Sequence, residues 1–303
     1  MSLFDTLVRT TLPVTPRFVV HFVARRYVAG SRLEDAVATV TRLAQEGCCA
    51  TIDVLGESVT SRELAQTAVN AYFEVLEAIR AHGLDANISL KPTQMGLAIA
   101  EELCLANIAA ILERAAAQRT FVRIDMEDSP TTDATLRIYR QLIARYPGGT
   151  GVVLQARLRR TLADAAALAA EKANVRLCKG IYLEPRRIAY CERDIIRSNF
   201  VHVLRTLLTG GAYVGIATHD EWLVCESLAL IHELGLPPDR YEFQMLLGVD
   251  PELRRIITDG GHRLRVYVPF GTHWYPYSVR RLRENPTIAR AGLEALLRGR
   301  LDS

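Results

Sequence analysis

Lysine is almost missing from this chain. Of its 37 basic residues only Lys91, Lys172 and Lys179 are lysines. A protein that otherwise writes positive charge as arginine keeps lysine as a remnant of base composition, or where a compact ammonium on a flexible stem is needed. Paired cysteine motifs are missing too: Cys48, Cys49, Cys104, Cys178, Cys191 and Cys225 form no C-x-x-C. With no signal-peptide pattern in MSLFDTLVRTTLPVT, they read as reduced, mostly buried thiols, and the expected compartment is the cytoplasm. No run approaches the roughly 18 consecutive apolar residues of a membrane span, so a soluble or peripheral protein is expected. No stripe of like charge appears, and the 37 basic and 34 acidic residues leave a net charge of +3, which gives no electrostatic case for nucleic acid. There is no G-x-G-x-x-G after a strand, no P-loop, no H-E-x-x-H and no G-x-S-x-G. Gly148, Gly149 and Gly151 precede a strand and read as a turn. No metal site is expected.

What remains is a composition of 49% hydrophobic, 23% charged and 7% aromatic residues, which excludes a disordered, collagenous or coiled-coil chain. Its 303 residues suffice for one sizeable core. From Ser31 onward, short β-prone runs alternate with longer amphipathic stretches. The runs are CATIDVL (49–55), NISLKP (87–92), FVRIDM (121–126) and GVVLQA (151–156), then VRLCKG (175–180), YVGIATH (213–219), YEFQML (241–246) and RLRVYVP (263–269). Between them lie helical patterns such as 61–83, with Ser61 placed to cap its start and Gly83 its end. Eight strand–helix units recurring about every 30 residues spell a (β/α)8 barrel. No linker interrupts it, so residues 1–303 read as one domain. Residues 1–30 form a helical extension. Its RFVVHFVARRY (17–27) suits a helix docked over the bottom of the barrel, or one lying against lipid headgroups.

Active sites of such barrels lie at the carboxyl ends of the strands. Those ends carry Asp53, Lys91, Asp125, Gln155, Arg176 with Lys179, Thr218 with His219, Gln244 and Tyr267. Two of the three lysines fall there, which assigns them to function. Lys91, Arg176 and Lys179 suit an anion, and Asp125 is expected to neutralise Lys91. Thr218 and His219 offer donors suited to a phosphate or ribose. If residues 277–285 are helical, Tyr277, Arg280, Arg281 and Glu284 share one face. Glu284 would then brace Arg280 while the paired guanidinium forks take a carboxylate.

The motifs SLKPTQMG, VRIDMEDS, VLQARL, VRLCKGIYLEP, ATHD, YEFQMLLG and VYVPFGTHWYPYSVRRLREN, in that order, resemble the monofunctional bacterial proline dehydrogenases over nearly the whole chain. The resemblance implies FAD-dependent oxidation of L-proline to Δ1-pyrroline-5-carboxylate, by hydride transfer to flavin N5. It implies a quinone as electron acceptor and a separate pyrroline-5-carboxylate dehydrogenase downstream. It also raises peripheral contact with the inner face of the cytoplasmic membrane, which would give residues 1–30 a lipid-facing purpose.

Residue by residue, the resemblance gives Arg280, Arg281 and Lys91 to the proline carboxylate, with Glu284 bracing Arg280 and Asp125 pairing with Lys91. Tyr267, Tyr277 and Leu246 would wall the pyrrolidine ring, and Arg176 would sit near flavin N5. Met126, Gln155, Lys179, Gly180, Ile181, Thr218 and His219 would line the FAD. Two positions depart from the family pattern: Cys178 stands where valine is usual, and Arg157 where an aromatic is common. A Schiff-base aldolase would also use strand-end lysines. It leaves the arginine pair and its aromatic neighbour unexplained. A non-catalytic carboxylate-binding barrel is the third reading.

Overall fold

The computed structural model describes Val20, residues 24–275 and residues 277–279. Eight parallel strands close into a barrel in chain order, β1 pairing with β8. Helix α1 (Leu33–Gln45) leads into β1 (Cys49–Val54), α2 (Arg62–His82) and β2 (Ala86–Leu90). There follow α3 (Glu101–Ala117), β3 (Val122–Ile124), α4 (Thr132–Arg145) and β4 (Thr150–Gln155). Next come α5 (Thr161–Ala170), β5 (Asn174–Cys178), α6 (Arg193–Thr209) and β6 (Tyr213–Ala217). The circuit ends with α7 (Glu221–Glu233), β7 (Tyr241–Leu246), α8 (Pro251–Asp259) and β8 (Leu264–Phe270).

Local chemistry sets the helix bounds. At α2 the Ser61 hydroxyl accepts from the Leu64 amide at 3.3 Å, and Gly83 closes the helix in the left-handed region at φ 58°. Between them Ala65, Ala68, Val69, Tyr72, Val75, Leu76 and Ile79 recur at three-and-four spacing and are buried. Asp250 caps α8 from the Leu253 amide at 3.0 Å, with Pro251 in the first turn.

The wall of the barrel has two chemically different faces, because successive strand residues point to opposite sides. Ile52, Ile88, Ile124, Val152, Leu177, Ile216, Phe243 and Val266 join the helices in one apolar core. In alternation with them stand Asp53, Ser89, Arg123, Arg176, Glu242, Gln244, Arg265 and Tyr267. Several of these hydrogen-bond between strands that are not neighbours, as Arg176 of β5 does to Ser89 of β2, and such a bond is only possible across the interior. A barrel interior is usually filled by branched apolar side chains; this one is polar.

The extension does not lie where the sequence suggests. Its described part docks at the mouth, not the bottom. The Ala29 amide donates to the Pro269 carbonyl at 2.9 Å, and Gly271 to the Gly30 carbonyl at 3.0 Å, both beside the end of β8. Val28 packs with Leu55, Tyr277 and Trp274, and Val20, Ala24 and Tyr27 are buried. Gly248, just past β7, sits at φ 72° with the Arg26 carbonyl oxygen 1.8 Å from where a Cβ would stand. Only glycine fits there.

The thiols also differ from expectation. Cys48, Cys49 and Cys104 are buried, Cys178 is half-buried, and Cys191 and Cys225 are exposed. No helix among the described residues is long and apolar enough to cross a membrane. None of the described residues form an acidic, histidine or cysteine cluster suited to a metal ion.

Candidate active site

At the carboxyl ends of the strands opens a cavity of about 870 Å³. Its floor is organised by one carboxylate. Asp125, just past β3, accepts through Oδ1 from Arg176 Nη1 and the Ser89 hydroxyl, both at 2.7 Å, and through Oδ2 from the Tyr267 hydroxyl at 3.0 Å. The Arg176 guanidinium also lies over the Tyr267 ring, 5.2 Å from its centroid. Hydrogen bonds to a charged group contribute about 1.5–3 kcal/mol each, so these three donors hold the floor in one arrangement. Burial, with Asp125 and Asp53 nearby, pushes the Tyr267 phenol well above its ordinary range, so it stays a neutral donor.

Beside this hub Lys91 Nζ donates to Asp53 Oδ1 at 2.9 Å, with side-chain exposures of 9% and 0%. Burial works against the ammonium, but Asp53, Asp125 and Glu127 outweigh it, and the lysine is held charged with its pKa raised. Burial pushes the Asp53 carboxyl up, against the pull of Lys91. Glu127 accepts from the Thr93 amide at 2.8 Å and its hydroxyl at 2.6 Å, which pins the turn after β2 to the end of β3. Its backbone carbonyl takes the Gln155 amide at 2.8 Å.

The far wall carries surplus positive charge. Lys179 Nζ lies 2.9 Å, Arg197 2.6 Å and Arg193 3.6 Å from the single carboxylate of Asp220. Burial works to raise the Asp220 pKa, but hydrogen bonds from Arg197 and Lys179 hold it well below the usual carboxylate range. Gly180 follows at φ 95°, and a Cβ there would stand 2.9 Å from Gln155 Oε1 and from Arg157 Cδ. Thr218 Oγ1 accepts from the Asp220 amide at 3.1 Å, and His219 Nε2 accepts from the Leu246 amide at 2.7 Å. A neutral imidazole with Nε2 as acceptor keeps its proton on Nδ1.

The family model for proline dehydrogenase matches residues 36–291. Proline dehydrogenase 1 of Bacillus subtilis (strain 168) is 39% identical over 275 residues, covering 91% of each chain. The chain belongs to the proline dehydrogenase family. Its function is accordingly the oxidation of proline in proline catabolism. The proline dehydrogenase of Deinococcus radiodurans is 33% identical over 280 residues, 91% of this chain and 90% of that one. Among solved structures, proline utilization A from Bdellovibrio bacteriovorus, inactivated by N-propargylglycine, superposes with a TM-score of 0.80 at 24% identity. It covers 87% of this chain but only 32% of its own length, and at that identity the likeness speaks for the fold.

Set against this proline dehydrogenase barrel, the residues singled out in the sequence fall together. Lys91, Asp125, Met126, Gln155, Arg176, Lys179, Gly180, Ile181, Thr218, His219, Leu246, Tyr267 and Tyr277 all line the one cavity. Arg280, Arg281 and Glu284 lie outside the described residues. One pairing is corrected. Lys91 bonds to Asp53, not Asp125, because Arg176 reaches across from β5 and takes Asp125. Thr218 and His219 each spend an acceptor on a backbone amide. Sequence reasoning gave no role to Ser89, Glu127, Arg193, Arg197 or Asp220. Asp220 stands in the ATHD motif beside His219, Ser89 opens SLKPTQMG and Glu127 lies in VRIDMEDS, signals that were there to use; Arg193 and Arg197 lie in none of the motifs.

Of the departures from the family pattern, the Cys178 thiol is pushed up to about 11 by burial, which leaves it unreactive. Arg157 turns its guanidinium to the Tyr182 carbonyl.

Proposed function

We propose that this chain oxidises L-proline to Δ1-pyrroline-5-carboxylate with FAD as resident cofactor, and that a quinone then takes the electrons. The observation that carries the reading is the polarity of one cavity. A rigid donor floor stands at one end; at the other Lys179 and Arg193 of the cavity wall converge on Asp220, with Arg197 behind them shared between Asp220 and Asp194. FAD fits that chemistry. The surplus cations suit a pyrophosphate, the missing Cβ at Gly180 leaves room for the Gln155 and Arg157 side chains that line the cavity beside it, and about 870 Å³ lies within the range of cofactor sites. Lys179, Gly180, Ile181, Met126, Gln155, Thr218 and His219 would hold it. When bound, FAD would supply the hydride acceptor at N5, chemistry no side chain provides.

The chain's own residues would do the placing. Lys91, fixed and charged by Asp53, would bind the proline carboxylate together with Arg280 and Arg281, with Glu284 bracing Arg280. Tyr267, Tyr277 and Leu246 would wall the ring. Such clamping lowers the barrier by orientation. Arg176, tied to Asp125, would stabilise charge developing beside it. Both oxygens of Asp125 already accept hydrogen bonds, so the amine proton would leave to solvent, and kcat/KM should show an amine-like ionisation of the substrate.

A Schiff-base aldolase needs a lysine whose pKa is lowered by desolvation. That of Lys91 is raised, which argues against that reading. The test is the absorbance spectrum of the purified protein before and after anaerobic addition of L-proline. A flavin band that proline bleaches is expected. A colourless protein, or a lysine adduct trapped by borohydride, would overturn the proposal. The quinone reading and a peripheral membrane contact rest on the family alone. Co-sedimentation with liposomes should fall when residues 1–30 are removed, and unchanged sedimentation would remove the lipid role of that segment.

A further inference from the structure

Behind Arg176 runs a buried chain of polar groups, Gln244, Glu242 and Arg265, with no part in holding proline or flavin. In the barrel ladder Arg176 is level with Gly215, and Gly215 with Glu242. Side chains at one level of neighbouring strands point the same way, so Arg176 and Glu242 flank a position with no side chain. The Gln244 amide fills that space. A Cβ on Gly215 would stand 2.4 Å from Gln244 Nε2 and 2.8 Å from its Cδ.

The amide has one chemically sensible orientation. Gln244 Nε2 donates to Glu242 Oε1 at 2.7 Å, and Gln244 Oε1 accepts from Arg176 Nε at 2.6 Å. Glu242 is in turn held by Arg265 Nε, at 2.9 and 3.1 Å from its two oxygens. Burial works to raise the Glu242 pKa, but Arg265 and Arg123 outweigh it, so the acid stays charged. A carboxylate below and a guanidinium above leave no reason for the amide to flip.

We infer that Gln244, oriented by Glu242 through the gap at Gly215, is a positioning residue that aims Arg176 at the reacting centre and thereby sets the rate of proline oxidation. The inference rests on the proposed role of Arg176. Asp125 and Ser89 hold one edge of that guanidinium through Nη1 and Tyr267 lies against its face, while Gln244 holds the Nε edge. Gln244 also lines the cavity, but the inference gives it no contact with substrate.

The test is anaerobic stopped-flow reduction of the bound flavin by L-proline in the full chain. Gln244→Met keeps the volume and loses both bonds. Reduction at saturating proline should slow about 10- to 100-fold, as a misaimed group does, with less than threefold change in proline Kd and with flavin content and Tm retained. Gly215→Ala, which displaces the amide without altering any polar group, should slow reduction in the same direction and provides the test should Gln244→Met fail to fold.

Gln244→Glu separates positioning from mere packing. Facing position 244 are Arg176 from β5, Glu242 from its own strand and Arg265 from β8; across Glu242 stand Arg123 from β3, Arg263 just before β8 at 3.5 Å and the Tyr213 phenol from β6, while Gly215 of β6 adds no side chain. Two carboxylates 2.7 Å apart share a proton. At acid pH the protonated variant can donate to Glu242 and accept from Arg176 as glutamine does, so its rate should approach that of the wild type. It should fall away as pH rises and the shared proton is lost.

A Gln244→Met rate within twofold of wild type, with Arg176→Ala slow, would overturn the inference alone. So would a Gln244→Glu profile parallel to that of the wild type. A wild-type flavin that proline does not bleach, or an Arg176→Ala variant of normal rate, would overturn the proposed function or the role of Arg176, and the inference with it.

Discussion

The outer and inner faces of this barrel wall are cut from the same eight strands, residue by alternate residue, yet they obey different rules. Outward, Phe243 and Met245 of β7 are buried among apolar side chains of the surrounding helices. Inward, Glu242 and Gln244 of the same strand are equally buried, but every polar contact there is a specific bond to a named partner. Apolar burial is non-directional and depends on area and volume. A buried polar network is worth having only when fully connected. The outer face therefore supplies stability, and the inner face holds geometry for chemistry.

The largest effect expected from this contrast comes from the outer face. Phe243→Ala should destabilise the fold by about 3–5 kcal/mol, read by urea unfolding, while the protein that remains folded reduces its flavin at the normal rate. A rate loss without a stability loss would invert the assignment. At the inner face Asp53→Asn keeps an acceptor for Lys91 but removes the charge opposite it. Its cost in stability should be smaller, about 1–3 kcal/mol, and proline KM should rise. A KM equal to wild type would detach Lys91 from the substrate. Arg281→Met should likewise raise proline KM, by about 2–4 kcal/mol of lost charge-assisted binding, with little change in Tm.

The smallest effect should be at Asp220, whose carboxyl is held low. A depressed carboxylate adds stability that is present above its unfolded value of about 3.9 and is lost as pH falls through the folded value. Asp220→Asn should therefore lower Tm at pH 7, with the gap to wild type narrowing below about pH 4. A gap independent of pH would mean that the charge is not what matters.

The outer face was the more legible one. Alternating apolar residues and capped helices announce a strand–helix repeat without knowledge of partners, and the eight runs expected are the eight strands observed. The carboxyl ends of three strands come earlier than expected in ways that matter to the site: β2 stops at Leu90, β5 at Cys178 and β6 at Ala217, so Lys91, Lys179, Thr218 and His219 stand just beyond them. Periodicity fades where residues turn to the cavity. Scarcity of lysine and position at strand ends sufficed to nominate Lys91, Lys179 and Arg176. Which acid meets which base was not legible, because it depends on closure. Arg176 finds Asp125 across the barrel, and Lys91 then falls to Asp53, whose level on β1 matches Ser89 on β2. The docking of Arg26 and Val28 at the mouth was hidden for the same reason: its signal, Gly248, lies more than 200 residues along the chain.

The most direct test of the division between the two faces is Arg176→Ala, followed by thermal unfolding and by anaerobic flavin reduction in the same preparation. Reduction slowed by about 10²-fold or more is expected in the protein that remains folded, with FAD retained and Tm lowered only by the loss of the Arg176–Asp125 pair. Reduction at the wild-type rate, or a loss of rate wholly matched by unfolding, would contradict that division.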